Sequence, residues 1–175
     1  RYEKGIMRPK RDALQAIAKA LNISEAYFNG TNLKIDVPML RTTSNGKLSE
    51  DELHALEAKL SFWAEQYLAK EKEAGFPTQF KNPIKGTKVS TLEDAIQASS
   101  LLREKWHCGD GPIASILRLL ERKGIMILAA TLPDYVFGMS TWADKKHPLM
   151  ILDFNLEKSS VEKLRFTAAH ELAHL

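Results

Sequence analysis

The sequence has almost no cysteine, no long apolar segment and little net charge. Its single cysteine, Cys108, excludes an internal disulfide and suits a reducing compartment such as the cytoplasm. No apolar run is long enough to cross a membrane, and no secretory signal peptide is recognisable. The formal net charge of +3 is too small to argue for a partner of opposite charge. These absences favour a cytoplasmic globular protein without a membrane partner.

The composition that remains is ordinary for a globular protein of one medium domain or two small ones. The chain has 175 residues, of which 44% are hydrophobic and 27% are charged. Charge is uneven: residues 1–20 hold six basic and two acidic side chains, a local net charge of +4. Such a run is compatible with nucleic-acid contact, and it is equally typical of a solvated face. Cys108 follows His107, a pair that either binds a metal or, more commonly, leaves the cysteine as a small buried hydrophobe.

Helical periodicity and capping residues predict three main helices. Each predicted start pairs a serine with a glutamate three residues later, at Ser49 and Glu52, Ser90 and Glu93, and Ser159 and Glu162. A fourth, shorter helix is predicted between Pro112 in its first turn and Gly124 at its end. The helix 49–74 ends at Gly75 and carries one apolar stripe, Leu53, Leu56, Leu60, Trp63 and Tyr67. We interpret this stripe as packing on its own domain, although a short coiled-coil dimer is an alternative.

The period of the sequence changes between residues 125 and 152. Three segments, 125–128, 135–142 and 149–152, read as strands separated by short links. Short links favour antiparallel neighbours, so we expect a small antiparallel sheet arranged as a meander. Helices followed by such a sheet predict an α+β fold.

The last eleven residues contain the pattern H-E-x-x-H, as His170, Glu171 and His174. Residues four apart lie on one face of an α-helix, so both imidazoles can bind one Zn²⁺ ion from the same side. Glu171 lies about 100° round the helix from His170, where its carboxylate can take a proton from an attacking water. The pattern predicts His170 and His174 as metal ligands and Glu171 as the catalytic base.

A chance arrangement on a charged helix is the alternative, but small apolar residues surround the motif. Ala168, Ala169, Leu172 and Ala173 are typical of an active-site helix, whereas a solvated face would carry lysine and glutamate. A catalytic zinc needs a third protein ligand and an open position. His147, the tempting candidate before the motif, is expected to be an exposed turn residue.

The beginning of the chain resembles the second half of an XRE-type, repressor-like helix-turn-helix domain. The resemblance rests on Tyr2-Glu3-Lys4-Gly5, Pro9, Leu14, Ile17-Ala18, Leu21-Asn22-Ile23-Ser24 and Tyr27-Phe28. It implies two helices within residues 1–28, DNA as a partner of the complete domain and a homodimer. It also implies a recognition helix before Arg1, so no DNA-contacting residue is assigned. Turn-forming residues after Asn29 then predict a linker over 31–48.

The rest of the chain resembles the ImmA/IrrE metallopeptidases, many of which follow an XRE-type domain. The matching residues are Leu102-Arg103, Trp106, Gly109, Pro112-Ile113, Leu117, Leu120-Glu121, Gly124-Ile125, Phe137-Gly138-Met139-Ser140, Trp142, Pro148–Leu152 and Leu164–His174. The resemblance implies three segments: residues 1–30 as part of the helix-turn-helix domain, 31–48 as linker and 49–175 as a metallopeptidase domain. It further implies a zincin-like fold, Zn²⁺ on His170 and His174, Glu171 as base, and a third, acidic ligand on a helix after Leu175.

The function implied is hydrolysis of a peptide bond in a regulatory protein, such as a transcriptional repressor. Zincin substrates commonly pair with a sheet edge, and we expect 135–142, rather than 148–154, to supply it, because Gly138 would let a backbone approach. Arg165 is expected to anchor the helix through an acidic partner. With the third ligand outside the chain, residues 1–175 alone are expected to bind zinc weakly and cleave nothing. The alternative function is a non-proteolytic regulator or antitoxin whose peptidase-like domain senses a metal or a partner.

Overall fold

A computed structural model describes residues 7, 9–22, 28, 33–36, 39–42, 50–75, 79–132, 136–155, 157 and 160–175. In these residues the helices and strands follow in the order α1 (Arg11–Leu21), β1 (Met39–Thr42), α2 (Glu50–Ala74), α3 (Leu92–Lys105), α4 (Ile116–Arg122), β2 (Met126–Ala130), β3 (Val136–Ala143), β4 (His147–Asp153) and α5 (Val161–His174). These residues combine helices with one small sheet, so the predicted coarse α+β class is confirmed.

The sheet is mixed, which corrects the predicted antiparallel meander. Its strand order is β1-β3-β4-β2. β3 pairs antiparallel with both β1 and β4, whereas β2 pairs parallel with β4. β2 ends at Ala130 opposite Asp153, at the end of the sheet where β3 begins. β2 and β3 flank β4, about 10 Å apart for two strand spacings, so closeness along the chain does not force two strands to pair.

β4 lies inside the sheet and is buried on both of its faces. Leu149 and Ile151 belong to one hydrophobic cluster, whereas Met150 and Leu152 belong to the other, and all four are fully buried. The first cluster includes Leu60 and Ala64 of α2, and the second includes residues of α4 and α5. The sheet is thus a layer between α2 on one side and α4 and α5 on the other. A strand covered on both faces reads as an unbroken apolar run, as 149–152 does.

α2 packs on the sheet through the predicted stripe. Leu60 is fully buried, and Leu56, Trp63 and Tyr67 pack against the same cluster, which confirms a helix packed on its own domain for these residues. Gly75 follows the helix with a φ of +74°, the left-handed conformation expected of a terminating glycine. Ser49, the predicted cap, lies outside the described residues. Among the helices that the structure describes, none is both long and apolar enough to cross a membrane.

The start of α3 lies one residue later than its predicted cap. Thr91, not Ser90, is the cap: its hydroxyl oxygen accepts from the backbone N–H of Asp94 at 3.1 Å. Asp94, not Glu93, completes the box, because its carboxylate accepts from the backbone N–H groups of Ser90 and Thr91, each at 2.9 Å. These bonds, with that from Ser90 first, hold the pKa of the Asp94 carboxyl below its usual value. The sequence contains two overlapping capping patterns, Ser90 with Glu93 and Thr91 with Asp94. The backbone hydrogen bonds show that the second one caps α3.

The segment predicted as a linker contains an edge strand. Within 31–48, β1 pairs with β3, and Ile35 forms an isolated bridge to Ala143. Short strands of this kind carry little periodicity, so turn residues around them dominate the sequence pattern. The division into 1–30, 31–48 and 49–175 stays a prediction.

Part of the repressor-like beginning of the chain falls on described residues. α1 is a helix whose predicted end at Asn22 is confirmed, since Asn22 adopts the left-handed conformation with a φ of 53°. The predicted second helix, from Ser24 to Phe28, lies outside the described residues except at its last position.

Candidate metal centre on the last helix

α5 carries the three residues of the H-E-x-x-H pattern. It begins after Ser160, whose hydroxyl oxygen accepts from the backbone N–H of Lys163 at 3.2 Å. The predicted cap, Ser159, lies outside the described residues, and the observed cap is its neighbour. The backbone N–H of Glu162 itself, followed by the Ser160 hydroxyl, lowers the pKa of the Glu162 carboxyl. A negative charge in this first turn also suits the helix dipole, so the start of α5 is well defined.

The two histidines lie together on the exposed side of α5. Their Nε2 atoms are 3.1 Å apart, and their rings meet edge to face with centroids 4.9 Å apart. Both side chains are exposed. The four-residue spacing therefore brings the two imidazoles together as predicted, with their Nε2 atoms as neighbours.

This arrangement fits two ligands of one zinc ion. Nitrogens bound at about 2.0–2.1 Å to a tetrahedral zinc lie about 3.3 Å apart, close to the observed separation of 3.1 Å. Two neutral imidazole nitrogens at this separation either share one hydrogen or bind a common cation. The donor atoms and their spacing are thus those that zinc prefers.

Glu171 lies on the other side of the helix, facing the sheet. Its side chain is fully buried, and Oε2 accepts a hydrogen bond of 2.8 Å from the Ser140 hydroxyl on β3. Glu171 was expected beside the histidines, rotated by about 100° from His170 around the helix axis. In the structure this rotation places its carboxylate in the core. The role of Glu171 as a base stays a prediction.

Ser140 is the residue of this site that the sequence prediction missed. It is buried, with 1% of its surface exposed, in a strand that also buries apolar side chains such as Met139. A hydroxyl at an inward-facing strand position needs a hydrogen-bond partner. Period-2 alternation across 136–143 could have marked Ser140 as such a position, but the sequence could not name Glu171 as its partner.

Gly138 permits α5 to approach β3, which corrects its expected role in substrate pairing. A Cβ atom at Gly138 would lie 2.7 Å from Cγ2 of Thr167 and 3.2 Å from Cδ2 of Leu152. β3 also has a paired neighbour on each side, and so does β4. Neither of the two segments expected as a sheet edge is one; the edges of the described sheet are β1 and β2.

Arg165 anchors α5 through backbone oxygens instead of the expected acidic partner. Its guanidinium donates to the carbonyl oxygen of Ala114 at 3.0 Å and to that of Ile113. These residues precede α4, which begins after Ser115 and not with Pro112 in its first turn. A planar guanidinium can donate to two successive carbonyl oxygens at once, so Arg165 ties the segment before α4 to α5.

The structure brings no third metal ligand to the histidine pair. Among the residues it describes, no three His, Cys, Asp or Glu side chains form a group that could hold a metal ion. His147 is the first residue of β4 and is half-buried, not an exposed turn residue. Cys108 is half-buried and packs against the α4–α5 cluster, as expected of a small hydrophobe.

Comparison with known proteins adds no relative to these observations. No protein-family model, no curated protein and no solved structure matches the chain. The site is therefore interpreted from its own residues and from the resemblance of its motifs.

Proposed function

We propose that the protein is a zinc-dependent endopeptidase that hydrolyses a peptide bond in a regulatory protein such as a transcriptional repressor. The observation that carries the proposal is the histidine pair, with Nε2 atoms 3.1 Å apart on the exposed side of α5. The second support is Glu171 itself, the carboxyl residue that the H-E-x-x-H pattern places between the two histidines. Zinc in such a site supplies Lewis acidity to a carbonyl group and to water.

The proposed roles follow from the chemistry of each side chain. His170 and His174 hold the metal through Nε2 as neutral imidazoles. Glu171 takes the proton of the attacking water and delivers it to the leaving amine, the general acid–base role that peptide hydrolysis requires. The resemblance implies a third, acidic ligand on a helix after Leu175 and a zincin-like domain, and both belong to this proposal.

The exposed surface beside the histidines suits a peptide substrate. Phe166 lies one helical turn before His170 and is 63% exposed. An aromatic side chain at the rim of a site can contact an apolar side chain of a bound peptide. We place the substrate along this face of α5.

Partners and compartment are part of the same proposal. The substrate is a protein that regulates transcription, and DNA binds through the complete helix-turn-helix domain. The single cysteine supports a cytoplasmic location. The repressor-like beginning of the chain supports a homodimer.

The test compares cleavage by the full-length protein, loaded with zinc, and by its Glu171→Gln variant. The substrate is an XRE-type repressor encoded beside the gene, and Glu162→Gln, the same change in the first turn of α5, is the matched control. We expect Glu171→Gln to lower the cleavage rate about 10²–10⁴-fold and Glu162→Gln to leave it near wild type. Equal cleavage by all three proteins would remove Glu171 as the base.

The second candidate, a regulator that senses a metal or a partner without proteolysis, predicts a different outcome. Zinc would then bind and change affinity for DNA, measured at a stated salt concentration, while the wild-type protein would cleave no repressor. The burial of Glu171 against the sheet is the observation that favours this candidate.

A further inference from the structure

The contact between Ser140 and Glu171 joins two buried polar side chains from different layers of the fold. The hydroxyl and Oε2 are 2.8 Å apart, a normal length for an O–H···O bond. Ser140 is 1% exposed and Glu171 is fully buried. Burying a carboxyl group is costly unless it is hydrogen-bonded, so this bond stabilises the buried position of Glu171.

The hydroxyl belongs to a strand that is paired on both sides. Ser140 pairs with Met39 of β1 on one side and with Met150 of β4 on the other. Two residues earlier, Gly138 brings Thr167 of α5 against the same strand. Gly138 and Ser140 thus face Thr167 and Glu171. Residues two apart share one face of a strand and residues four apart share one face of a helix, so the two pairs can meet.

We propose that Ser140 is a positioning residue for Glu171: its hydroxyl fixes the carboxylate on the sheet side of α5, one residue along the chain from His170. The catalytic consequence rests on the proposed peptidase function, whereas the hydrogen bond is tested independently of activity. Ser140 does not touch the reacting atoms; it acts through Glu171, the neighbour of one histidine in the chain.

Thr141, the next residue of β3, provides a matched control. It is also buried, and its hydroxyl donates to the carbonyl oxygen of Asp36 at 2.6 Å. Thr141→Val and Ser140→Ala each remove one buried hydroxyl from the same strand, but only the latter removes the donor to Glu171. A general loss of stability should therefore affect both variants alike.

The experiment uses the full-length protein with zinc, in wild-type form and as these two variants. One measurement is the NMR chemical shift of the Glu171 carboxyl carbon in protein labelled with ¹³C-glutamate, assigned with Glu171→Gln. The other is the steady-state cleavage of the XRE-type repressor, with kcat and KM determined separately. Zinc content and melting temperature are recorded for each variant.

We expect Ser140→Ala to move the carboxyl carbon resonance and to lower kcat about 10–100-fold, the usual effect of losing a residue that orients a functional group, with KM changed less than about twofold. Thr141→Val should leave the resonance and kcat near wild type. The proposal is overturned if the resonance stays unchanged in Ser140→Ala, if kcat stays within about twofold of wild type, or if Thr141→Val lowers kcat equally. A wild-type protein that cleaves no repressor defeats the peptidase function and the catalytic role of Ser140 with it, while the resonance still decides whether Ser140 holds Glu171.

Discussion

The two sides of α5 differ in chemistry, although they belong to one helix of 14 residues. The side that faces the sheet buries Leu164, Thr167, Ala168 and Glu171. The other side exposes Phe166, Ala169 and both histidines. The sheet side fixes the position of the helix, and the solvent side presents the two imidazole rings. The carboxylate of Glu171 is thereby placed in the core, whereas the imidazoles of His170 and His174, within three residues of it in the sequence, are exposed to solvent.

The difference shows how one side of a helix can be fixed by close packing while the other side remains accessible to solvent. On the sheet side, the contacts are close: Thr167 meets the backbone of β3 at Gly138, and Glu171 accepts from Ser140. On the solvent side, the described contact is between the two histidine rings. Substitutions should therefore change stability on the sheet side and ligand binding on the solvent side.

The largest effect on stability is expected where adjacent alanines lie on opposite sides. Ala168 is fully buried, whereas Ala169 is exposed. Ala168→Leu should lower the free energy of unfolding by about 1–3 kcal/mol or more through overpacking, and Ala169→Leu should change it by less than about 0.5 kcal/mol. Urea denaturation of both variants measures the difference. Similar free energies of unfolding for the two variants would contradict the assignment of one buried and one exposed side.

Gly138→Ala tests the close approach of α5 to β3. The added Cβ would lie 2.7 Å from Thr167 Cγ2, and the β-branched threonine has little freedom to move in a helix. We expect a loss of about 1–3 kcal/mol in the free energy of unfolding. Thr167→Ser removes the obstructing methyl group, so the double variant should recover part of this loss. A double variant as unstable as the sum of both changes would place the clash elsewhere.

A smaller, pH-dependent effect is expected at α3, where an exposed carboxylate stabilises the helix start. The Asp94 pKa is lowered by backbone N–H groups, that of Ser90 first. Its contribution to stability is therefore present above the unfolded value of about 3.9 and is lost as the pH falls through the lower, folded value. Asp94→Asn should melt below wild type at about pH 7, and the gap should close below about pH 4.

Glu93→Gln is the control for this measurement, since the Glu93 carboxylate accepts from the Gln97 side chain, at 3.3 Å, and not from the backbone N–H groups that Asp94 caps. Its melting temperature should follow that of wild type across the same pH range. A gap between wild type and Asp94→Asn that widens on acidification would reverse the assigned sign.

The smallest effect on stability is expected for the exposed histidines. In a chelator, His170→Ala and His174→Ala should each change the free energy of unfolding by less than about 0.5 kcal/mol. With zinc, the melting temperature of the full-length wild-type protein should rise because the metal binds the folded state, and each variant should lose this rise.

Local patterns predicted most of the elements of this protein. The structure confirms three features that depend only on residues close together in the sequence. They are the apolar stripe of α2, the unbroken apolar run of β4 and the end of α1 at Asn22. Capping residues were placed within one position, at Thr91 and Ser160. The exact cap could not be predicted because neighbouring hydroxyl and carboxyl side chains compete for the same backbone N–H groups. The sequence shows these candidates but not which of them forms the hydrogen bond.

The sequence by itself determined that His170 and His174 share a helix face, because a four-residue spacing fixes neighbours on a helix whatever surrounds it. Tertiary structure alone decided that β2 lies parallel to β4, that Gly138 receives Thr167 and that Ser140 donates to Glu171. Periodicity reports which side of an element is buried, but not what buries it. The partners of a buried group are set by strand register and by the approach of the layers, which no spacing within one segment contains.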